Sequence, residues 1–149
     1  MIRHLHHACI STSDMDRALA FYRDTLGLKL ITDFEASGKE LDRIFGCSGF
    51  RARVAYFEEG LEVSQFFFPV NKKMLNVSYS DIGCAFLIFE VSDLDEMYST
   101  LVDRGAEFYC RPIAVPPPFP TLPSIRVAHI RGPDGERISL MEIPANTGV

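Results

Sequence analysis

Cationic side chains are scarce: 15 lysines and arginines stand against 20 aspartates and glutamates, a formal charge of −5. A surface that tracks a phosphate backbone needs clustered Lys and Arg, so this balance argues against a nucleic-acid partner. No apolar run approaches the roughly 18 residues of a membrane span. The opening Met1-Ile2-Arg3-His4-Leu5-His6 has no apolar core of a secretory signal. The expectation is a cytoplasmic protein with no membrane partner. The four cysteines, Cys9, Cys47, Cys84 and Cys110, form no Cys-x-x-Cys pair. A zinc ribbon and a disulfide framework are therefore unsupported, and each thiol reads as a small buried hydrophobe.

What is present fits one ordinary globular chain. Its 149 residues are 47% hydrophobic and 23% charged, which excludes the disordered and fibrous classes. A chain of this size buries roughly 70% of its unfolded surface, enough to fold without a structural metal.

An internal repeat organises it. Ala8-Cys9-Ile10-Ser11-Thr12-Ser13-Asp14-Met15-Asp16 matches Leu87-Ile88-Phe89-Glu90-Val91-Ser92-Asp93-Leu94-Asp95. Each is a short β-prone run followed by Ser-Asp-x-Asp, and each continues with apolar residues at helical spacing until a glycine, Gly27 or Gly105. Ser13 or Asp14, and Ser92 or Asp93, suit the N-cap, where a side-chain oxygen accepts from the first free amides. Strands are expected next at Leu28–Asp33, Arg51–Phe57 and Leu61–Phe68 in the first half. In the second they fall at Glu107–Arg111, Ile125–Arg131 and Arg137–Ile143, with Gly132-Pro133-Asp134-Gly135 as a turn. The predicted architecture is α+β: two βαβββ modules, 4–70 and 82–144, joined by a linker at 71–81, with mixed sheet curling around a cleft. Two insertions break the symmetry, Glu35–Phe50 and the proline-rich Val115–Pro123.

The stretch from His7 through Ser13-Asp14-Met15-Asp16 to Phe21-Tyr22 and Leu26-Gly27 resembles the opening motif of the vicinal oxygen chelate superfamily. That group includes glyoxalase I, methylmalonyl-CoA epimerase, extradiol dioxygenases and bleomycin and fosfomycin resistance proteins. Gly60-Leu61-Glu62-Val63, Val91-Ser92-Asp93-Leu94-Asp95 and Gly132-Pro133-Asp134-Gly135-Glu136-Arg137-Ile138 resemble its later landmarks. The resemblance spans nearly the whole chain, and it implies fold more firmly than activity because one scaffold hosts many chemistries.

In metal-dependent members four strands supply one ligand each, typically His, Glu or Gln, His and Glu. Carried onto this sequence, the positions are His7, Glu62, Phe86 and Ser139. The first two remain as candidate metal ligands; a phenyl ring and a neutral hydroxyl replace the others. A catalytic divalent ion usually has at least three protein ligands, so a Ni, Zn, Fe or Mn ion is expected to be weakly held or absent. Glu142 points to the opposite strand face from Ser139, and Glu90 lies about 13 Å along its strand from Phe86. The facing of His129 is open. A dioxygenase triad is incomplete.

Two functional readings follow. One is a lyase or isomerase of the glyoxalase or epimerase type, with Glu62 as general base beside a carbonyl and His7 as metal ligand or acid. The other is a metal-free binding protein of the bleomycin-resistance type. A carboxylate between Leu61 and Val63 must face water or have a partner. Phe66 in the Phe66-Phe67-Phe68 run, Phe86, Ser139, Met141 and, as part of a lid, Phe119 are the candidate pocket residues. They favour an apolar or aromatic small molecule. Among Arg51, Arg53, Arg126 and Arg137, one or two are candidates to anchor an anion. His4 and His6 read as exposed. The resemblance also implies a homodimer.

Overall fold

The computed structural model describes residues 3–70, 85–115 and 125–143. The linker, Cys84, Phe119 and nearly all of the proline-rich segment fall outside them. The chain divides into two compact units, Met1–Leu75 and Asn76–Val149.

In the first unit, β1 (Ala8–Ser11) leads into α1 (Met15–Leu19), then β2 (Leu30–Ser37), α2 (Lys39–Phe45), β3 (Arg51–Phe57) and β4 (Leu61–Phe68). The sheet order is β1-β4-β3-β2, with β1 parallel to β4 and the other pairs antiparallel. The second unit repeats the plan: β5 (Leu87–Glu90), α3 (Leu94–Asp103), β6 (Phe108–Val115), β7 (Ile125–Arg131) and β8 (Arg137–Glu142). Its order is β5-β8-β7-β6, and β5 is parallel to β8. Two βαβββ-like, four-stranded mixed sheets are therefore present, as the repeat predicts.

Asp14 and Asp93 are the N-caps, accepting from the amides of Arg17 and Glu96. One face of each sheet buries the helix. Met15, Ala18, Leu19 and Tyr22 join Ala55, Phe57, Leu61 and Val63 in the first core; Leu94 and Leu101 join Ala128, Ile130, Ile138 and Leu140 in the second. Alternation then turns Glu62, Ser64 and Tyr56, or Ser139 and His129, to the other face.

Three details depart from the sequence expectations. Residues Ala20–Thr25 continue α1 as a π-helical segment, in which the Leu26 amide bonds the Phe21 carbonyl at 2.8 Å. The reason is length: Gly27 is thirteen residues after Asp14, whereas Gly105 is twelve after Asp93. Both glycines adopt positive φ, 81° and 82°, a conformation that glycine takes without a Cβ clash. Second, the Glu35–Phe50 insertion, to which the sequence assigns no element, carries regular structure. It prolongs β2 to Ser37 and supplies α2, which ends at Gly46 in a left-handed cap. Leu41, Cys47 and Phe50 pack onto Ala36, Ala52, Val54, Tyr56 and Phe66, covering part of the face opposite α1. Third, β6 runs on through Pro112 to Val115, which an edge strand tolerates.

Candidate functional site

Register builds the site. Cys9 pairs with Glu62, and Glu62 with Tyr56, so three adjacent strands place these side chains in one row on the face opposite α1. His7 stands two residues before Cys9 and shares its parity.

The row converges on Glu62. His7 Nε2 lies 3.2 Å from Oε2. The Ser64 hydroxyl donates to Oε1 at 2.8 Å and the Cys9 thiol does so at 3.2 Å. The Tyr56 hydroxyl donates as well. Four donors match the roughly four acceptor positions of a carboxylate. Burial opposes ionisation of Glu62, but Tyr56, Ser64, Cys9 and the adjacent His7 outweigh it and hold the carboxyl below the ordinary glutamate value. The same contacts act oppositely on two donors. Burial, then the Glu62 hydrogen bond and charge, push the Cys9 thiol up to about 11. The Glu62 hydrogen bond, then burial, push the Tyr56 phenol up to about 12. The cluster is thus one anion held by neutral donors beside an imidazole.

His7 is fixed on its other sides. Its ring meets that of Tyr56 edge-on at 5.2 Å, and its Nδ1 lies 2.8 Å from Nδ1 of exposed His6. An apolar wall adjoins this polar end: Phe45 stacks on Phe50 at 4.2 Å, and Phe66 meets both edge-on at 5.9 Å. Tyr56 belongs to both regions, since it also packs against the Phe50 cluster.

The second unit shows what became of the same positions. Ile88 pairs with Ser139 and Ser139 with His129, so the row Cys9–Glu62–Tyr56 reappears as Ile88–Ser139–His129. Phe86 occupies the place of His7. Ser139 is buried, Phe86 is 43% exposed, and Met141 sits one row along, opposite Glu90 and Val127. His129, whose facing the sequence leaves open, shares the Ser139 face. Glu142 is on the other face, accepting from the Leu94 amide at 3.4 Å and pairing with Arg126.

A divalent ion of the superfamily type does not fit these residues. Phe86 has no donor atom and Ser139 offers a neutral hydroxyl, so the second unit supplies no counterpart to His7 and Glu62. The Glu62 oxygens are already engaged. Among the described residues no three His, Cys, Asp or Glu side chains form a group that would hold a metal ion.

Several residues were missed from sequence. Cys9 is exposed, not a buried hydrophobe, because it is an edge-strand residue two positions from His7; that spacing was the available signal. Tyr56 and Ser64 required the cross-strand register. Of the four arginines considered, Arg53 is consumed by Asp33 and Asp16, Arg126 by Asp95 and Glu142, and Arg51 lies over the Phe67 ring. Arg137 shares the Ser139 face.

The comparisons with known proteins agree with this architecture. A glyoxalase-family protein of Bacillus cereus superposes with a TM-score of 0.77 at 24% identity, covering 96% of this chain and 95% of that one. A glyoxalase/bleomycin resistance protein/dioxygenase from Alicyclobacillus acidocaldarius gives 0.61 at 15% identity, covering 96% and 93%. The trypanothione-dependent glyoxalase I of Leishmania major gives 0.61 at 17% identity, covering 95% and 87%. These likenesses speak to fold. No curated protein matches the chain. No helix among the described residues is long and apolar enough to cross a membrane. The family model for glyoxalases matches residues 4–140, and with the doubled βαβββ plan this establishes that the chain belongs to the glyoxalase/bleomycin resistance protein/dioxygenase superfamily.

Proposed function

We propose that this protein is a metal-free binder of an apolar or aromatic small molecule, in the manner of the bleomycin-resistance branch. One observation carries the reading: the Glu62 carboxylate already accepts from His7, Cys9, Ser64 and Tyr56. A carboxylate so satisfied is a poor general base and must give up hydrogen bonds to take a metal. In the first unit the Phe45–Phe50–Phe66 wall beside this cluster favours an apolar body; taken by itself, the second unit offers Phe86 and Met141 on a face of the same character. A cytoplasmic homodimer is part of the same proposal, with sedimentation as its check.

The test is elemental analysis of protein purified without chelator, repeated on His7→Ala and Glu62→Ala. Substoichiometric metal, unchanged by either substitution, is expected. Near one equivalent of Ni, Zn, Fe or Mn per chain, lost in both variants, would overturn the metal-free reading.

The 3.2 Å contact between His7 and Glu62 favours a second reading, a lyase or isomerase that moves a proton beside a carbonyl. In it Glu62 holds His7 Nε2 and fixes the tautomer, as a carboxylate does for a catalytic imidazole, and His7 Nδ1 acts as the base once the ligand displaces the exposed His6 ring. Deuterium wash-in from heavy water beside the carbonyl of a phenyl ketone, abolished in His7→Ala, would support this alternative; no wash-in above the uncatalysed rate would remove it.

A further inference from the structure

The polar end of the first unit's open face is richer in acceptors than its residue types suggest. A hydroxyl has one proton to donate and two lone pairs with which to accept. The protons of Tyr56, Ser64 and Cys9 are all directed to Glu62. Ser64 is buried and stays behind the carboxylate. What Tyr56 offers a ligand is therefore the lone-pair side of its oxygen. His7 follows the same logic. Its Nε2 faces Glu62 Oε2 at 3.2 Å, which sets the proton of the neutral ring there and makes Nδ1 the acceptor. The exposed His6 ring lies against Nδ1 at 2.8 Å. A ligand that moves His6 aside meets a nitrogen lone pair.

Charge points the same way. Register sets Thr32 beside Tyr56, Phe34 beside Val54 and Ala36 beside Ala52 on this face, and none of these is charged. From β1 and β4 the face receives one formal charge, that of Glu62. The sheet's arginines lie elsewhere: Arg53 is on the helix side with Asp16 and Asp33, and Arg51 is over the Phe67 ring. Lys39 and Arg43 of α2 are exposed, and helical spacing sets them opposite Leu41 and Phe45. Asp42 of the same helix instead accepts from the Phe50 amide at 2.6 Å, which adds a second anion beside the aromatic wall. Neutral donors satisfy the Glu62 oxygens and stabilise their charge without cancelling it.

The apolar end lies at a fixed reach. Glu62 and Phe66 are four residues apart on β4, about 13 Å between Cα atoms. Val54 lies between them, opposite Ser64. A short aliphatic chain laid across Val54 brings a terminal ring to Phe45, Phe50 and Phe66, where offset and edge-on ring contacts are favourable.

We infer that the ligand site of the first unit selects an organic cation, a protonated amine joined by a short chain to an aromatic ring. The ammonium donates to the Tyr56 oxygen and to His7 Nδ1 in the field of Glu62, and the ring packs toward Phe45, Phe50 and Phe66. An ammonium carries donors and no acceptor, the complement of this end. A carboxylate would set lone pair against lone pair. The inference rests on the proposed reading of this face as a binding site for an apolar or aromatic small molecule.

Three probes of matched length, 4-phenylbutylamine, 4-phenylbutanol and 4-phenylbutyrate, test it by ¹⁵N NMR titration of the full chain at neutral pH. The amine is expected to shift the amides of Cys9, Tyr56, Glu62 and Phe66. It should bind about tenfold more tightly than the alcohol, the worth of one charge-assisted hydrogen bond. The carboxylate should bind more weakly than the alcohol, and raised salt should narrow the gap between amine and alcohol. Glu62→Gln keeps the side chain's size and removes its charge, and should bring the amine down to the alcohol's affinity. Tyr56→Phe keeps the ring and removes the accepting oxygen, and should weaken the amine severalfold. Glu35→Gln, a charge loss on the helix side of the same sheet, should leave the preference intact. A Glu62→Gln chain that fails to fold leaves Tyr56→Phe and the salt dependence to decide. Equal binding of amine and alcohol at these amides, or a preference that survives Glu62→Gln, would overturn the cation site and leave the ligand face standing. Silence of all three probes at these amides at millimolar concentration would overturn the ligand reading and the inference with it.

Discussion

Arg53 and Arg126 make the same connection in the two units: Arg53 bonds Asp16 of α1 at 2.7 Å, and Arg126 bonds Asp95 of α3 at 2.7 Å. Each then continues to an acid on the sheet, Asp33 or Glu142. Gln65 and Glu142 also correspond, and each accepts an amide at a helix start, from Met15 and Leu94 respectively. The helix-bearing face is thus preserved between the halves in its polar ties as well as its core. The other face has diverged: Cys9, Glu62 and Tyr56 stand where the second unit has Ile88, Ser139 and His129.

Arg53→Met is expected to lower stability by roughly 1 kcal/mol, the upper end for an ion pair at the protein surface, read as a lower urea midpoint. The hydrogen bond to Arg53 holds the Asp33 carboxyl below its ordinary value. Its stabilisation is therefore full above the unfolded carboxylate value and lost as pH falls through the lower folded one. Removing Arg53 should flatten the acid limb of stability against pH, and an unchanged limb would contradict the assignment.

Tyr56→Phe removes one donor from Glu62. The Glu62 pKa should move upward, measured by its side-chain carboxyl carbon in an NMR titration. In the intact protein the Tyr56 phenol should ionise near pH 12, visible as a phenolate absorbance step missing from the variant. Because this folded value is raised, its contribution to stability is complete below the unfolded tyrosine value near 10 and fades as pH climbs through 12.

Cys9 should be a slow thiol despite its exposure. With a pKa about two units above the ordinary 9.0, its thiolate population at pH 8 is roughly a hundredfold below that of a free cysteine. Iodoacetamide labelling followed by peptide mass mapping should show this lag. Glu62→Gln, which removes a neighbouring negative charge, should shorten it; labelling as fast as free cysteine in the parent would refute the cluster.

Phe50→Ala should cost about 3 kcal/mol, the lower end for deleting a buried aromatic ring, since Phe50 is 4% exposed and anchors the α2 cluster. Phe50→Leu should cost less than half of that. Denaturant unfolding of both variants checks the ranking, and equal losses would show that the ring contacts with Phe45 and Phe66, not apolar bulk, carry the energy.

The doubled topology was legible because its signals are local and repeated: Ser-Asp-x-Asp, a helical stripe, then a glycine. The correspondence of His7 with Phe86 needed only a constant offset from that motif, and the strand register supports it. The insertion was opaque for a different reason. Its helix, Lys39–Phe45, leaves Ile44 and Phe45 substantially exposed, so it lacks a clean apolar stripe and owes its place to Phe50 just after it and to the distant Ala52, Val54 and Phe66. The donors around Glu62 escaped because Cys9, Tyr56 and Ser64 meet only through pairing of separate strands.

The widened turn at Ala20–Thr25 has a consequence for how the two halves are compared. One extra residue in an ordinary α-helix would rotate everything after it by roughly 100°, since 3.6 residues complete a turn. Absorbing that residue as a bulge cancels the phase error before Gly27, so the chain re-enters its sheet as it does after Gly105. Superimposing the halves by counting forward from their helix starts would set Leu30 against Tyr109, one position out, and exchange the two faces of that strand. Counted from the strand pairings, Leu30 meets Phe108, since their partners Phe57 and Ile130 occupy the same place in the two sheets.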